Sequence, residues 1–258
     1  MTEWNAESYS ESSSLQQAMA AEVLQALDLT GSERVLDVGC GDGRITREIA
    51  RRVPKGRVVG VDASSNMIAL ASQKSGPNLR FEIADARSLP FDHEFDLVVS
   101  FNALHWIHEQ DLALSSIHKS LKSGMAHLRL VPMGVRKSIE TVLDETRSSP
   151  RWSKYFCEFR DPYLRLTQEE YCSRAQKSGF RVERVQTETR AWDFGTRAEF
   201  LAFSAVTMVE WTKRLPESLR SLFITDVLDR YQAVAAEKPA EENTFKFYQM
   251  TIVLTALD

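Results

Sequence analysis

The chain has 258 residues, room for one α/β domain with an insertion or for a large and a small lobe. Its 43% hydrophobic and 26% charged content is ordinary for a soluble globular protein. A net charge of −4 supplies no basic field for a phosphate backbone, which sets nucleic acid aside as a partner. The three cysteines, Cys40, Cys157 and Cys172, lack paired ligand spacing, so reduced thiols and a cytoplasmic setting are expected. The opening MTEWNAESYSESSS is polar, without the apolar centre of a signal peptide, and no apolar run is long enough to cross a bilayer.

Leu15, Met19, Val23, Leu24, Leu27 and Leu29 recur at helical spacing and stop at Gly31, which predicts a leading helix over 14–29. A buried strand follows at 33–38, then glycines at 39, 41 and 43, then a helix near 43–52 that Pro54 ends. RVVGV at 57–61 reads as a second strand running into Asp62, and 64–74 as a helix with Met67, Ile68 and Ala71 on one face. Strands are expected at 79–84, ending at Asp85, at 95–101, and at 125–131 after a turn in LKSGM. The intervals suit crossovers between parallel strands. After Pro132 the pattern changes. Residues 136–160 are charged and aromatic, and Thr167 with Glu170 predicts a capping box on a helix ended by Gly179. A strand at 180–188, helices at 197–213 and 217–235 split by Pro216, and a last strand at 245–257 complete the chain.

The stretch Arg34–Thr46, RVLDVGCGDGRIT, carries the chemistry. A buried strand entering a glycine turn at the start of a helix is where open α/β sheets bind nucleotide-like ligands. A dinucleotide fingerprint needs G-x-G-x-x-G, but here the third glycine comes one residue early and Arg44 takes its place. No Lys-Ser or Lys-Thr closes the run as a phosphate loop requires. Asp37, two residues before Gly39, repels a pyrophosphate and suits a cation. Three successive strands end at acids, Asp37, Asp62 and Asp85, and ligands bind outside the carboxyl ends of such strands. Each acid by itself also reads as a turn former or helix cap.

The run D-x-G-x-G-x-G resembles motif I of the class I S-adenosylmethionine-dependent methyltransferases. The resemblance implies a Rossmann-like, seven-stranded, mostly parallel sheet with helices on both faces and a helical cap. It places a lid segment at 1–32, the cofactor-binding core at 33–132, and cap insertions with the last two strands at 133–258. It makes S-adenosyl-L-methionine the cofactor and S-adenosyl-L-homocysteine the product. Asp37 then takes the methionyl ammonium, Asp62 the ribose diol, and Asp85, followed by Ala86, the adenine amine. Gly39, Cys40 and Gly41 form the close turn, and Ala63, Met67 and Asn102 line the ligand. Thr46 either back-bonds within its helix or meets the cofactor carboxylate.

The segment SFNALHWIHEQ at 100–110, with WNAESY at 4–9 and SSLQ at 13–16, is similar to the trans-aconitate and juvenile hormone acid methyltransferase group. That similarity implies a small carboxylic acid as the methyl acceptor. It gives Gln16 and Trp106 the task of orienting the acceptor carboxylate, both being neutral donors. His105 is either a general base for a hydroxyl or amine acceptor, or a neutral ring bonded to backbone. A non-catalytic cofactor-binding module is the remaining alternative. Arg129, Arg136 and Arg151 are candidates to attract an anionic acceptor. His105, His108 and Glu109 lack dedicated metal spacing, and no metal is expected.

Overall fold

The computed structural model describes residues 14–257, the side chains of residues 14, 16 and 17 excepted. The chain divides into two compact units. Residues through Pro132, Tyr163–Thr187 and the chain from Gln249 onward form the first; Met133–Pro162 and Glu188–Tyr248 form the second.

The first unit opens with α1 (Ser14–Ala26), β1 (Arg34–Val38), α2 (Arg44–Arg52), β2 (Arg57–Asp62), α3 (Ser65–Ser72) and β3 (Leu79–Ile83). It continues with β4 (Phe95–Phe101), α4 (Gln110–Ser120), β5 (Leu121–Leu130) and α6 (Gln168–Lys177). Two strands, β6 (Phe180–Asp193) and β7 (Thr244–Ala256), each cross the boundary between the units in sequence. Among the described residues these strands form one seven-stranded sheet in the order β3-β2-β1-β4-β5-β7-β6. The pairs from β3 to β5 are parallel. β7 lies antiparallel to β5, with Met125 opposite Thr255 and Leu130 opposite Met250.

Burial on both faces explains why the strands read as continuous apolar runs. Leu36, Val38, Val59, Val61 and Val98 pack with Leu114 and Ile117 of α4 and with Tyr171 and Ala175 of α6. Val35, Val58 and Val99 point the other way, to Ile49 and Ala50 of α2 and Leu24 of α1. Asp37 shares the face of Val35, two residues away, and so turns its carboxyl toward α2.

Strands β1–β4 and β7 lie close to the expected bounds, whereas β6 runs on to Asp193 instead of ending at 188. The capping box is present on α6: Thr167 caps Glu170 N–H, and the Glu170 carboxylate accepts from Thr167 N–H. The fifth strand departs from expectation. The LKSGM run is not a turn, because β5 starts at Leu121 directly after α4. The register steps from Phe95 opposite Leu121 to Leu97 opposite Met125, so Lys122–Gly124 bulge against Asp96. Gly124 permits this approach: a Cβ there would lie 2.4 Å from the Asp96 carbonyl oxygen.

The second unit holds α5 (Ile139–Arg147), α7 (Arg197–Thr207), α8 (Val209–Thr212) and α9 (Glu217–Ala235). Its interior is aromatic. Trp152 and Phe156 pack on Phe223 of α9, and the Trp152 indole N–H donates to Asp226 at 2.8 Å. Phe194, Phe200, Phe203, Phe245 and Phe247 form a second group. The single helix expected over 197–213 breaks at Met208, where α7 gives way to α8.

Candidate cofactor site at the strand ends

The centre of the site is a buried acid. Asp37 is only 2% exposed. The Thr46 hydroxyl of α2 donates to its Oδ2 at 2.7 Å. Thr46 therefore neither back-bonds nor stands free; it holds the carboxyl in place. Burial raises the Asp37 pKa to about 7, with the nearby Asp62 charge adding to the rise and the Thr46 bond opposing it.

The glycine turn follows at once. Gly39 and Cys40 both donate their N–H groups to the Val61 carbonyl at the end of β2, which ties the turn to the neighbouring strand. Gly39 has φ +76°, and a Cβ on it would fall 2.2 Å from the Ala103 methyl. Gly41 has φ +54°, and a Cβ there would meet no atom within 4 Å. The first glycine is thus required by the protein's own packing, and the second borders open space. Cys40 is buried, and burial pushes its thiol pKa up, so it is a small filler with no thiolate character.

Asp62 closes the turn from the other side. Its Oδ2 accepts from Gly41 N–H at 3.0 Å and its Oδ1 from Ser64 N–H at 2.9 Å. Ser64 in turn caps α3 by accepting from Met67 N–H. The acid serves the turn through these two N–H groups. Ala63 beside it is half-buried, whereas Met67 is buried at 2% exposure.

Asp85 is engaged more fully than expected. It accepts from Arg87 N–H at 2.9 Å, from Arg87 Nε at 3.0 Å and from Nη2 at 2.6 Å. The guanidinium also reaches Glu109 through Nη1 at 3.1 Å. Arg87 holds the Asp85 carboxyl below the usual carboxylate range. Arg87 already occupies the Asp85 carboxylate, so an amine at this acid would share it with Arg87 or displace the guanidinium. Ala86 is buried behind it in a short 3-10 turn.

Past β4, Asn102 takes a left-handed backbone with φ +57° and donates its N–H to the Arg129 carbonyl at 2.7 Å. His105 is 2% exposed, and its Nδ1 accepts from Val131 N–H at 3.3 Å. Burial lowers its pKa to about 3. The ring is therefore neutral with its proton on Nε2, and its basic lone pair is occupied by backbone. The general-base alternative for His105 does not fit this arrangement. Tyr163 stacks on His105 at 4.6 Å and meets Trp106 edge-on at 4.6 Å.

Gln16 lies on α1, but its side chain falls outside the described ones. Arg129 does not serve as a free anion site: it is 6% exposed and paired with Glu22 of α1 at 2.8 Å. Arg151 is likewise paired, with Asp226 at 2.9 Å. Arg136 lies over the Tyr248 ring. No group of three His, Cys, Asp or Glu side chains is placed to hold a metal among the described residues.

The rim suits a cation better than a phosphate. A buried carboxylate without a positive partner is costly, and an ammonium or sulfonium beside Asp37 would offset that cost. The space at Gly41 admits a ligand against backbone. A family described as a methyltransferase domain matches residues 35–124. The trans-aconitate 2-methyltransferase of Deinococcus radiodurans is 33% identical over 121 residues, 47% of this chain and 46% of that protein. The enzyme of the same name from Delftia acidovorans is 25% identical across 98% of both chains. The chain carries a methyltransferase domain and is similar to the class I S-adenosylmethionine-dependent methyltransferases. It resembles the trans-aconitate methyltransferase group, and S-adenosylmethionine is its cofactor. The fold agrees with solved methyltransferases. Phosphoethanolamine N-methyltransferase 2 of Haemonchus contortus, in complex with S-adenosylhomocysteine, superposes with a TM-score of 0.59 at 19% identity, over 93% of this chain and 53% of that one.

In this methyltransferase Thr46 and Tyr163 matter in ways their sequence positions did not announce. Thr46 sits nine residues after Asp37, and its role depends on α2 folding back along β1. Tyr163 reaches the LHW turn from a segment 57 residues later, where Leu164 N–H donates to the His105 carbonyl at 2.8 Å. Arg87, two residues after Asp85, was legible in principle as a cation beside an acid.

Proposed function

We propose that the methyltransferase acts on a small carboxylic acid and forms its methyl ester by direct in-line displacement. The observation that carries this reading is the state of His105: neutral, buried, and bonded through Nδ1 to Val131 N–H. A hydroxyl or ammonium acceptor has to lose a proton, and the histidine at the strand-end turn has no lone pair ready to take it. A carboxylate is already ionised at neutral pH and attacks without a base. The trans-aconitate names of the relatives support the same acceptor chemistry.

When bound, S-adenosylmethionine supplies an electrophilic methyl group on a sulfonium. The protein's work is to bind, align and exclude water. Asp37, fixed by Thr46, receives the ammonium; Gly39, Cys40 and Gly41 give the ligand backbone to lie on. Asp62, with Ala63 beside it, takes the ribose hydroxyls, and the Asp85–Ala86 turn meets the adenine end with Arg87 sharing the carboxylate. Trp106 and Gln16 orient the acceptor carboxylate as neutral donors, which align it without quenching its nucleophilicity. Residues 1–32 and the helices within 133–258 are proposed as the lid and cap segments. The enzyme works in the cytoplasm on a free small molecule, without nucleic acid or membrane.

Labelled cofactor offered with small di- and tricarboxylic acids, phenols and amines tests the reading. Label in a base-labile ester, with trans-aconitate as the first acid offered, is the expected result. Label found in a phenol ether or an amine, with every acid inert, overturns it.

A further inference from the structure

Gln249 lies on the last strand, 147 positions from Asn102, yet it is bonded to it: Gln249 Nε2 donates to Asn102 Oδ1 at 3.1 Å. The same nitrogen donates to the Leu130 backbone carbonyl at 2.9 Å. An amide side chain can present either its oxygen or its nitrogen, and neighbours decide which. Here the decision is forced. The Leu130 carbonyl accepts and cannot donate, so the nitrogen of Gln249 has to face it. Its second hydrogen then points at Asn102, which must answer with its oxygen. The Asn102 NH2 group is left turned away from Gln249.

Two features show that this arrangement is maintained at a cost. Gln249 is 2% exposed, and its Oε1 is buried with no hydrogen-bond partner. Asn102 adopts φ +57°, outside the strand conformation of the residues before it. Asn102 stands at the end of β4, next to Ala103, which abuts the Gly39 of the cofactor turn.

We infer that Gln249 is a positioning residue: it locks the Asn102 amide with its NH2 directed into the strand-end rim, as a donor to a carboxylate. The carboxylate comes from one of two sources, the methionyl end of the cofactor or the acceptor acid. The second source rests on the proposed function; the first does not.

Amide-resolved NMR on 15N-labelled full-length protein reads the lock directly. In the wild type the Gln249 NH2 protons are expected to be protected from exchange and those of Asn102 to exchange fast. Adding S-adenosylhomocysteine shifts the Asn102 NH2 signals if the cofactor carboxylate is the partner. If the acceptor is the partner, they shift only when trans-aconitate is added on top. Gln249→Glu loses the NH2: its carboxylate, or its carbonyl oxygen once the single O–H of the neutral acid has gone to the Leu130 carbonyl, presents an acceptor to Asn102, so the Asn102 amide turns over and its NH2 becomes protected. Under the first source this variant binds S-adenosylhomocysteine at least tenfold more weakly and binds the decarboxylated analogue as the wild type does. Under the second, S-adenosylhomocysteine affinity holds and the trans-aconitate response disappears. A protected Asn102 NH2 in the wild type, no response to either carboxylate, or equal losses for the intact and decarboxylated ligands overturns the inference. Should Gln249→Glu fail to fold, the wild-type exchange pattern decides the lock. Asn102→Asp then replaces the donor by a carboxylate and is expected to weaken the same carboxylate ligand at least tenfold. Absence of acid methylation by the wild type refutes the proposed function alone, since a shift with S-adenosylhomocysteine still establishes the lock.

Discussion

A carboxyl raised to about 7 by burial makes cofactor binding depend on pH near neutrality. At pH 8 about nine tenths of Asp37 is ionised and at pH 6 about one tenth, so the affinity for the ammonium of S-adenosylhomocysteine falls about tenfold across that interval. Asp37→Asn keeps an oxygen for the Thr46 hydroxyl and removes the charge. Losing one side of a buried charge pair costs about 2–5 kcal/mol, at least thirtyfold in Kd, and with it the pH dependence should vanish. The same change has the opposite effect on the cofactor-free fold. The folded pKa stands above the ordinary value of 3.8, so the native state holds its proton more tightly than the unfolded chain. The stability this contributes is complete below about pH 4 and is lost as pH rises through about 7. The interval of about three pH units is worth on the order of 4 kcal/mol, which the amide variant recovers at pH 8. Calorimetric titration with S-adenosylhomocysteine at pH 6, 7 and 8, and thermal unfolding of both proteins without ligand, measure the two sides. A wild-type affinity that is flat between pH 6 and 8, or an Asp37→Asn protein that melts below wild type at pH 8, would refute the reasoning.

Thr46→Val removes the hydrogen bond that opposes the rise in the Asp37 pKa; the pH midpoint of S-adenosylhomocysteine affinity should move upward, and at pH 7 binding should weaken by about 1.5–3 kcal/mol in the same titration. Gly41→Ala meets no atom within 4 Å, so only its left-handed φ is penalised, by about 1–2 kcal/mol; it should fold and bind S-adenosylhomocysteine about tenfold or more weakly, because the methyl fills the space left for the ligand. Gly39→Ala collides with Ala103 at 2.2 Å and should show its defect in thermal unfolding before any ligand is added. His105→Asn should lower acid methylation by less than about tenfold, against the 10²–10⁴ that a general base supplies, and initial rates over pH 6–9 in both proteins decide between them.

Much of this protein is written locally. The apolar runs mark the strands because both faces of a parallel sheet are buried, and the Thr167–Glu170 cap closes within one helical turn. The spacing of Asp37, Gly39 and Gly41 is local as well, since an acid at a strand end and two left-handed glycines lie within five residues. These features need only nearest neighbours along the chain, so the sequence by itself determined them, and with them the fold class and the cationic character of the ligand. What each acid does was decided by contacts that exist only after folding. Asp37 finds Thr46 because α2 packs along β1, and Arg129 is neutralised by a helix 107 positions earlier. His105 loses its basic lone pair to Val131, and Asn102 has its polarity set by Gln249 through the Leu130 carbonyl. A hydrogen bond is made by whichever partner lies within about 3 Å, and across a sheet that partner can come from anywhere in the sequence.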